Sequence, residues 1–232
     1  MPVLNPKDIS EVRHGDMEIG SLLVGDKLMY NKRYLIEYLN AGTYKFLVPR
    51  WAHYVSVIAK GAGGGGSGGG RTPGVGGYGG KISAFRFSFP NSNMRYAINL
   101  TVGAGGLGGS TPGAAGKDGG ASYWSYSDNT NDRADGGAGS DSSSQNGTGG
   151  FGYRSISDIL ALHLLREEGS RYYPGQGGTG NGGNGRYGGG GAGGNGGNWS
   201  GYSIGGRGGD GFVSICCWGI DPRLPKLTGG VA

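Results

Sequence analysis

The chain has 232 residues, of which 58 are glycine, against a usual glycine fraction of roughly 7%. Only 35% of the residues are hydrophobic, which excludes the large side-chain core of an enzyme of this length, and no run approaches the roughly 18 apolar residues of a membrane span. Lys and Arg number 21 against 16 Asp and Glu, a formal charge of +5 spread without a basic block, so charge lends no support to nucleic-acid binding.

Residues 1–33 are ordinary in composition, with short apolar pieces around Ile19, Leu22, Leu23, Val24 and Leu28. The Met1-Pro2-Val3-Leu4 start lacks the charged and apolar regions of a signal peptide, so a chain made in the cytosol or exported by some other route is expected. Strand patterning begins at Tyr34. Residues 34–39 and 43–48, joined through Asn40-Ala41-Gly42, read as a β-hairpin. Residues 51–60 then place Trp51, His53, Val55, Val57 and Ala59 on one face of a strand. Further strands are expected at 81–89, 96–102 and 211–218. Cys216 and Cys217 are neighbours on the last of these and point to opposite faces, so they do not form a disulfide with each other.

Between the strands lie glycine-rich tracts at 61–80, 103–120, 136–152 and 175–211. The exception is 155–169, where Ser155 and Asp158 resemble a capping box, the interior is rich in Leu and Ala, and Gly169 stands at the C′ position, predicting a short α-helix. Its apolar set, including Ile156, Ile159, Leu160, Leu164 and Leu165, is wider than one stripe, so the helix needs a partner surface.

Two readings compete for the glycine tracts, a flexible linker and an ordered array. Ordering a residue costs roughly 1 to 2 kcal/mol, and glycine buries no side chain in return. Glycine can nevertheless adopt a threefold polyproline-II-type helix, and without Cβ atoms such helices can lie side by side. A conventional hydrogen bond worth roughly 0.5 to 1.5 kcal/mol and a Cα–H contact worth about 0.5 to 1 then nearly offset the entropy, provided strands hold the ends. Gly182, Gly185, Gly188, Gly191, Gly194 and Gly197 fall every third residue, as such a helix requires. Flexible linkers are Gly/Ser-rich, whereas these tracts carry Tyr78, Tyr187, Trp199 and Tyr202. The ordered array is therefore expected.

No motif carries chemistry. Matches to GxGxxG are inevitable at this glycine content, and Lys117 has neither the glycine nor the hydroxyl residue of a phosphate-binding loop. His14, His53 and His163 stand apart from other metal-ligand types. No nucleophile with its base can be picked out, so neither catalysis nor a cofactor is expected. The one Arg-Gly-Gly triplet, at Arg207, lacks the repetition of RNA-binding segments. More informative are the aromatic clusters Tyr123-Trp124-Ser125-Tyr126, Tyr172-Tyr173 and Asn198-Trp199-Ser200-Gly201-Tyr202. Two readings stay open for them: loop-borne contacts with a carbohydrate or protein, or rings that cap glycine helices and pack between subunits.

The segment from Asn5 to Asp16, the Val24-Gly25-Asp26-Lys27-Leu28-Met29-Tyr30 stretch, and Val48-Pro49-Arg50-Trp51 leading into Gly61-Ala62-Gly63-Gly64 resemble glycine-rich minor tail proteins of long-tailed bacteriophages, particularly those of actinobacterial hosts. The glycine array is also similar to the polyglycine-II domain of T-even distal tail-fibre adhesins. This resemblance implies a virion tail component, synthesised in the host cytoplasm, with other phage tail proteins as partners. Its N-terminal segment, residues 1–33, would dock to the tail through candidates Val12, Arg13, Asp16, Val24, Asp26 and Tyr30.

The expected fold is all-β, over residues 34–232: a jelly-roll-like β-sandwich scaffold with packed polyglycine-II helices and one short α-helix. A homotrimer is expected from tail symmetry, with Ile159, Leu160 and Leu164 as contact candidates. Tyr123, Trp124, Tyr126, Tyr187, Asn198, Trp199 and Tyr202 are the candidates for binding a host cell-surface glycan or protein. No nucleic acid, membrane insertion, metal or cofactor is expected. The competing classes are a soluble lectin-like module and a glycine-rich RNA-associated protein.

Overall fold

The structure is a computed structural model that describes residues 12–14, 17–19, 21–24, 27–70, 74–89, 96–127, 130–140, 182–189 and 203–220. Among these residues the fold is all-β, without a helix. The helix expected at 155–169 lies outside the described residues, as do the contact candidates Ile159, Leu160 and Leu164.

Two small antiparallel pairs come first: β1 (Val12–His14) with β2 (Met17–Ile19), and β3 (Ser21–Val24) with β4 (Lys27–Asn31). The remaining strands are β5 (Arg33–Tyr38), β6 (Gly42–Leu47), β7 (Tyr54–Lys60), β8 (Ile82–Ser88), β9 (Ala97–Val102), β10 (Ser122–Ser127), β11 (Thr130–Ala134) and β12 (Phe212–Trp218). They form two four-stranded antiparallel sheets, ordered β5-β12-β7-β8 and β11-β10-β9-β6.

Strands β7 and β12 are buried along their whole length, which explains why their sequences are near-continuous apolar runs rather than alternating ones. Val55, Val57 and Ala59 of β7 and Val213, Ile215 and Cys217 of β12 meet Phe46, Ile98, Leu100, Val102 and Trp124 of the other sheet in one apolar cluster. Cys216 turns to the opposite face with Tyr54 and Trp218, and both thiols are free, as adjacent residues on a strand require.

The hairpin expected of residues 34–48 does not form. β5 pairs with β12 and β6 pairs with β9, so the chain crosses from one sheet to the other at residues 39–41. The apolar faces of the two strands then look at each other across the core, with Tyr34 stacked on Phe46 at 6.3 Å and Tyr38 tilted against Tyr44 at 4.8 Å between ring centroids. A period-two pattern followed by a turn is equally compatible with pairing in one sheet and with facing across two.

Residues 122–126 hold the second correction. They form an interior strand, β10, between β9 and β11, not a loop. Trp124 is fully buried and packs on Phe85 at 5.4 Å, while Tyr126 packs edge-on against Phe89 and Tyr96 at 5.0 and 5.4 Å. Trp124 therefore has no surface to offer a receptor, and Tyr126 is committed to the core. Tyr123 is exposed and Ser125 half-buried, on the face of the strand opposite Trp124.

Candidate functional site

The glycine tracts begin where the β ladders end. The last rung of the β7–β8 pair is Lys60 with Ile82, and the next contact is the Gly61 amide donating to the Lys81 carbonyl at 2.9 Å. From there every amide of residues 61–69 donates to a neighbouring segment at 2.8–3.0 Å. Gly61, Gly64 and Ser67 reach the carbonyls of Lys81, Tyr78 and Val75; Ala62, Gly65 and Gly68 reach Gly120, Lys117 and Ala114; Gly63, Gly66 and Gly69 reach Gly209, Gly206 and Ser203. Successive amides thus turn to three different antiparallel neighbours and return to the first after three residues.

The carbonyls of the same segment accept in the same rhythm. Gly106 and Gly109 donate to Gly63 and Gly66, and Gly137 and Ser140 donate to Ala62 and Gly65. The segments around 61–69 also bond one another in sequence: 74–81 to 135–140, then 114–121, 103–110, 203–211 and 182–189, and back to 74–81 through the Gly80 amide on the Gly188 carbonyl.

Bare backbone is what permits this spacing. A Cβ on Gly61, Gly64 or Gly65 would lie 2.0 Å from the carbonyl oxygen of Asp135, Ala138 or Leu107 respectively. Side chains appear where the rhythm points outward: Ala104, Leu107 and Ser110 are exposed while Gly103, Gly106 and Gly109 are buried.

Of the three-residue glycine spacing at 182–197, the described part, 182–189, joins the network through the Gly185 and Gly188 amides, which donate to the Arg207 and Asp210 carbonyls at 2.8 and 2.7 Å. Gly182 and Gly188 take φ of 67° and 75°, opposite in sign to the polyproline-II value of about −75°, because the segment bends there. Residues 190–197 lie outside the described residues.

At its base the array is tied by side chains. Asp210 accepts from the Gly105 amide at 2.9 Å, the Ala41 amide at 3.3 Å and Arg207 Nη2 at 2.6 Å. Lys81 Nζ and Arg133 Nε sit 3.2 and 3.0 Å from Asp135 and their hydrogen bonds hold its carboxyl below the ordinary range. Ser83 donates to Asp132. Lys60 is fully buried beside Gly188, and burial lowers its pKa to about 7.

Of the receptor candidates, Tyr123 is 48% exposed on β10 and Tyr187 is 40% exposed beside the array. Asn198, Trp199 and Tyr202 lie outside the described residues, as do Asp16 and Asp26. Val12 and Arg13 fall on β1, Val24 on β3 and Tyr30 on β4, each paired within its own hairpin. The described far end of the array is the exposed turn Thr111-Pro112-Gly113, where the Ala114 amide donates to the Thr111 carbonyl at 3.0 Å.

A cleft of about 380 Å³ opens on the flank, between Leu39, residues 184–187 and residues 207–210. Sequence reasoning missed Asn184, Arg186 and Asp210 there, because only the bonds between 182–189 and 203–211 bring them together. Among the described residues no group of three His, Cys, Asp or Glu is placed to hold a metal ion.

The family model described as Glycine-rich domain matches residues 39–218. The chain belongs to that glycine-rich domain family. The match begins at the turn between β5 and β6 and ends with the last residue of β12, so this glycine-rich domain includes strands β6 to β12 as well as the array and leaves out β5. A comparison with curated proteins found no match.

Proposed function

We propose that this glycine-rich domain protein is a structural minor tail protein of a long-tailed bacteriophage, which uses a bundle of polyglycine-II helices to hold recognition loops away from a jelly-roll-like β-sandwich. The observation that carries the reading is the rotation of the 61–69 amides among three neighbours, the bonding pattern of threefold helices packed side by side. At roughly 3.1 Å per residue the turn at 111–113 would stand about 25 Å from the sheets. Anchored at the ends of β7, β9, β11 and β12, such a bundle is a stiff spacer, and stiffness is what a display role needs and a linker lacks.

The tail assignment rests on the resemblance of residues 5–16, 24–30 and 48–66. In this reading residues 1–33 dock to a neighbouring tail protein, the helix of 155–169 joins copies into a trimer, and the partner at the far end is a host surface glycan or protein. No catalytic role is assigned. Gold-labelled antibody against residues 107–117 should decorate the tail end of intact particles. Particles that lack the chain would overturn the tail role, and amides of 61–69 exchanging at the rate of an unstructured peptide would overturn the bundle.

A further inference from the structure

Tyr187 is the only non-glycine residue with positive φ among the described residues, at 49°. The Gly189 amide donates to the Arg186 carbonyl at 2.9 Å, which closes a four-residue turn with Tyr187 and Gly188 at its centre, both at positive φ as in a type I′ turn. Glycine or asparagine adopts that first central position with little strain, whereas a tyrosine there is disfavoured. In a chain with 58 glycines, keeping a tyrosine at this point argues that its ring is used. The ring is 40% exposed and lines the flank cleft.

The remaining walls define what would fit. Arg207 is held in place from three sides: its amide donates to Asn184 Oδ1 at 2.9 Å, its Nε to the Gly105 carbonyl at 3.4 Å and its Nη2 to Asp210 at 2.6 Å. The other N–H groups of the guanidinium fork have no partner among the described residues. Arg186 is exposed and has no ion pair among the described residues. Two guanidinium groups against one carboxylate leave the cleft cationic. Its volume lies within the 300–1,000 Å³ range of small-ligand sites.

We propose that this cleft binds an anionic saccharide, with the sugar face on the Tyr187 ring and its carboxylate or phosphate between Arg186 and Arg207. A flat ring for the sugar, fixed donors for hydroxyl groups and a guanidinium fork for the anion are the elements such a ligand needs. The inference names a ligand class for the recognition role proposed above and takes only the ligand's biological source from it.

Calorimetric titration of the full chain would use trigalacturonate for the carboxylate form, glycerol-phosphate oligomer for the phosphate form, and maltotriose as the neutral control. Binding of one or both anionic probes is expected, without binding of maltotriose. Tyr187→Gly suits the turn's backbone and removes the ring, so the fold is retained; it and Arg186→Gln should each weaken binding by about tenfold or more, in the range of one charge-assisted contact. Tyr187→Phe should bind like the wild type. Equal binding of maltotriose, no binding of either anion, or unchanged affinity in both Tyr187→Gly and Arg186→Gln would overturn the site. Absence from tails with these affinities intact would overturn the tail role and leave the cleft standing.

Discussion

Replacing Gly65 with alanine tests whether main-chain contact holds the array. The new Cβ would stand 2.0 Å from the Leu107 carbonyl oxygen and 2.4 Å from its carbon, so reaching an ordinary contact of 3.4 Å requires a movement of 3.4 − 2.0 = 1.4 Å. Segment 103–110 cannot make that movement freely. Its Gly106 and Gly109 amides donate to Gly63 and Gly66 at 2.9 and 2.8 Å, and the Leu107 carbonyl itself accepts from Lys117 at 2.8 Å. Loss of these three bonds in a buried setting costs roughly 3 to 6 kcal/mol, which for a chain of this size lowers Tm by about 6 to 24 °C. Gly70→Ala is the matched control, because among the described residues its Cβ would meet nothing closer than the Gly113 nitrogen at 3.6 Å. It should leave Tm unchanged or raise it slightly through the unfolded state. Calorimetric melting of the two variants decides the matter: equal Tm values would refute main-chain packing as the source of order in the array.

The buried cysteines, with Cys216 pushed up to about 12 and Cys217 raised further by burial, should resist alkylation by iodoacetamide at pH 8 until the protein is unfolded; rapid native labelling would contradict their placement. Lys60, lowered to about 7 from 10.5, makes the unfolded state bind more protons between those values, so wild-type stability relative to Lys60→Met should rise with pH from about 7 toward 10.5, by at most about 1.4 kcal/mol per pH unit. Denaturant melts of both proteins at pH 7 and 9 measure that difference, and a flat one would place the lysine in water. Trp124→Ala should cost about 3 to 5 kcal/mol as a core cavity while Tyr123→Ala, on the exposed side of the same strand, should stay within about 0.5 kcal/mol; equal losses would contradict the strand's orientation.

The strands that carry the core were legible because burial on both faces leaves a compositional mark. The runs Tyr54–Lys60 and Phe212–Trp218 could be read as strands from their residues alone. Pairing was not legible, because nothing in residues 34–48 distinguishes two neighbours in one sheet from two strands facing across a core. Strand β10 was obscured by its glycine flanks and its serines, although Tyr123 outside and Trp124 inside already alternate. The array was legible as an energetic requirement, since so many glycines could be ordered only by one another. Its centre was not, because nothing in the sequence sets 61–69 apart from the other glycine tracts as the segment whose amides reach three neighbours. The flank cleft left no local signal: Leu39, Arg186 and Arg207 become neighbours only after the array is assembled.

Inward and outward positions of the array differ in what a substitution would cost. Central glycines cannot change without displacing a neighbour's backbone, whereas the outward third of each outer segment already carries unlike side chains: Leu107 is 64% exposed, Tyr78 66% and Ile204 61%. An outward substitution touches no main-chain hydrogen bond, so its cost is that of an ordinary surface change. The sheets absorb the ordering entropy at one end, through a core shared by β7, β9, β10 and β12. From that fixed end the array extends as hydrogen-bonded main chain, and its outward side chains take no part in those bonds. A chain with so little side-chain mass can therefore be ordered while its surface varies, because order resides in main-chain hydrogen bonds and variation in the residues that face away from them.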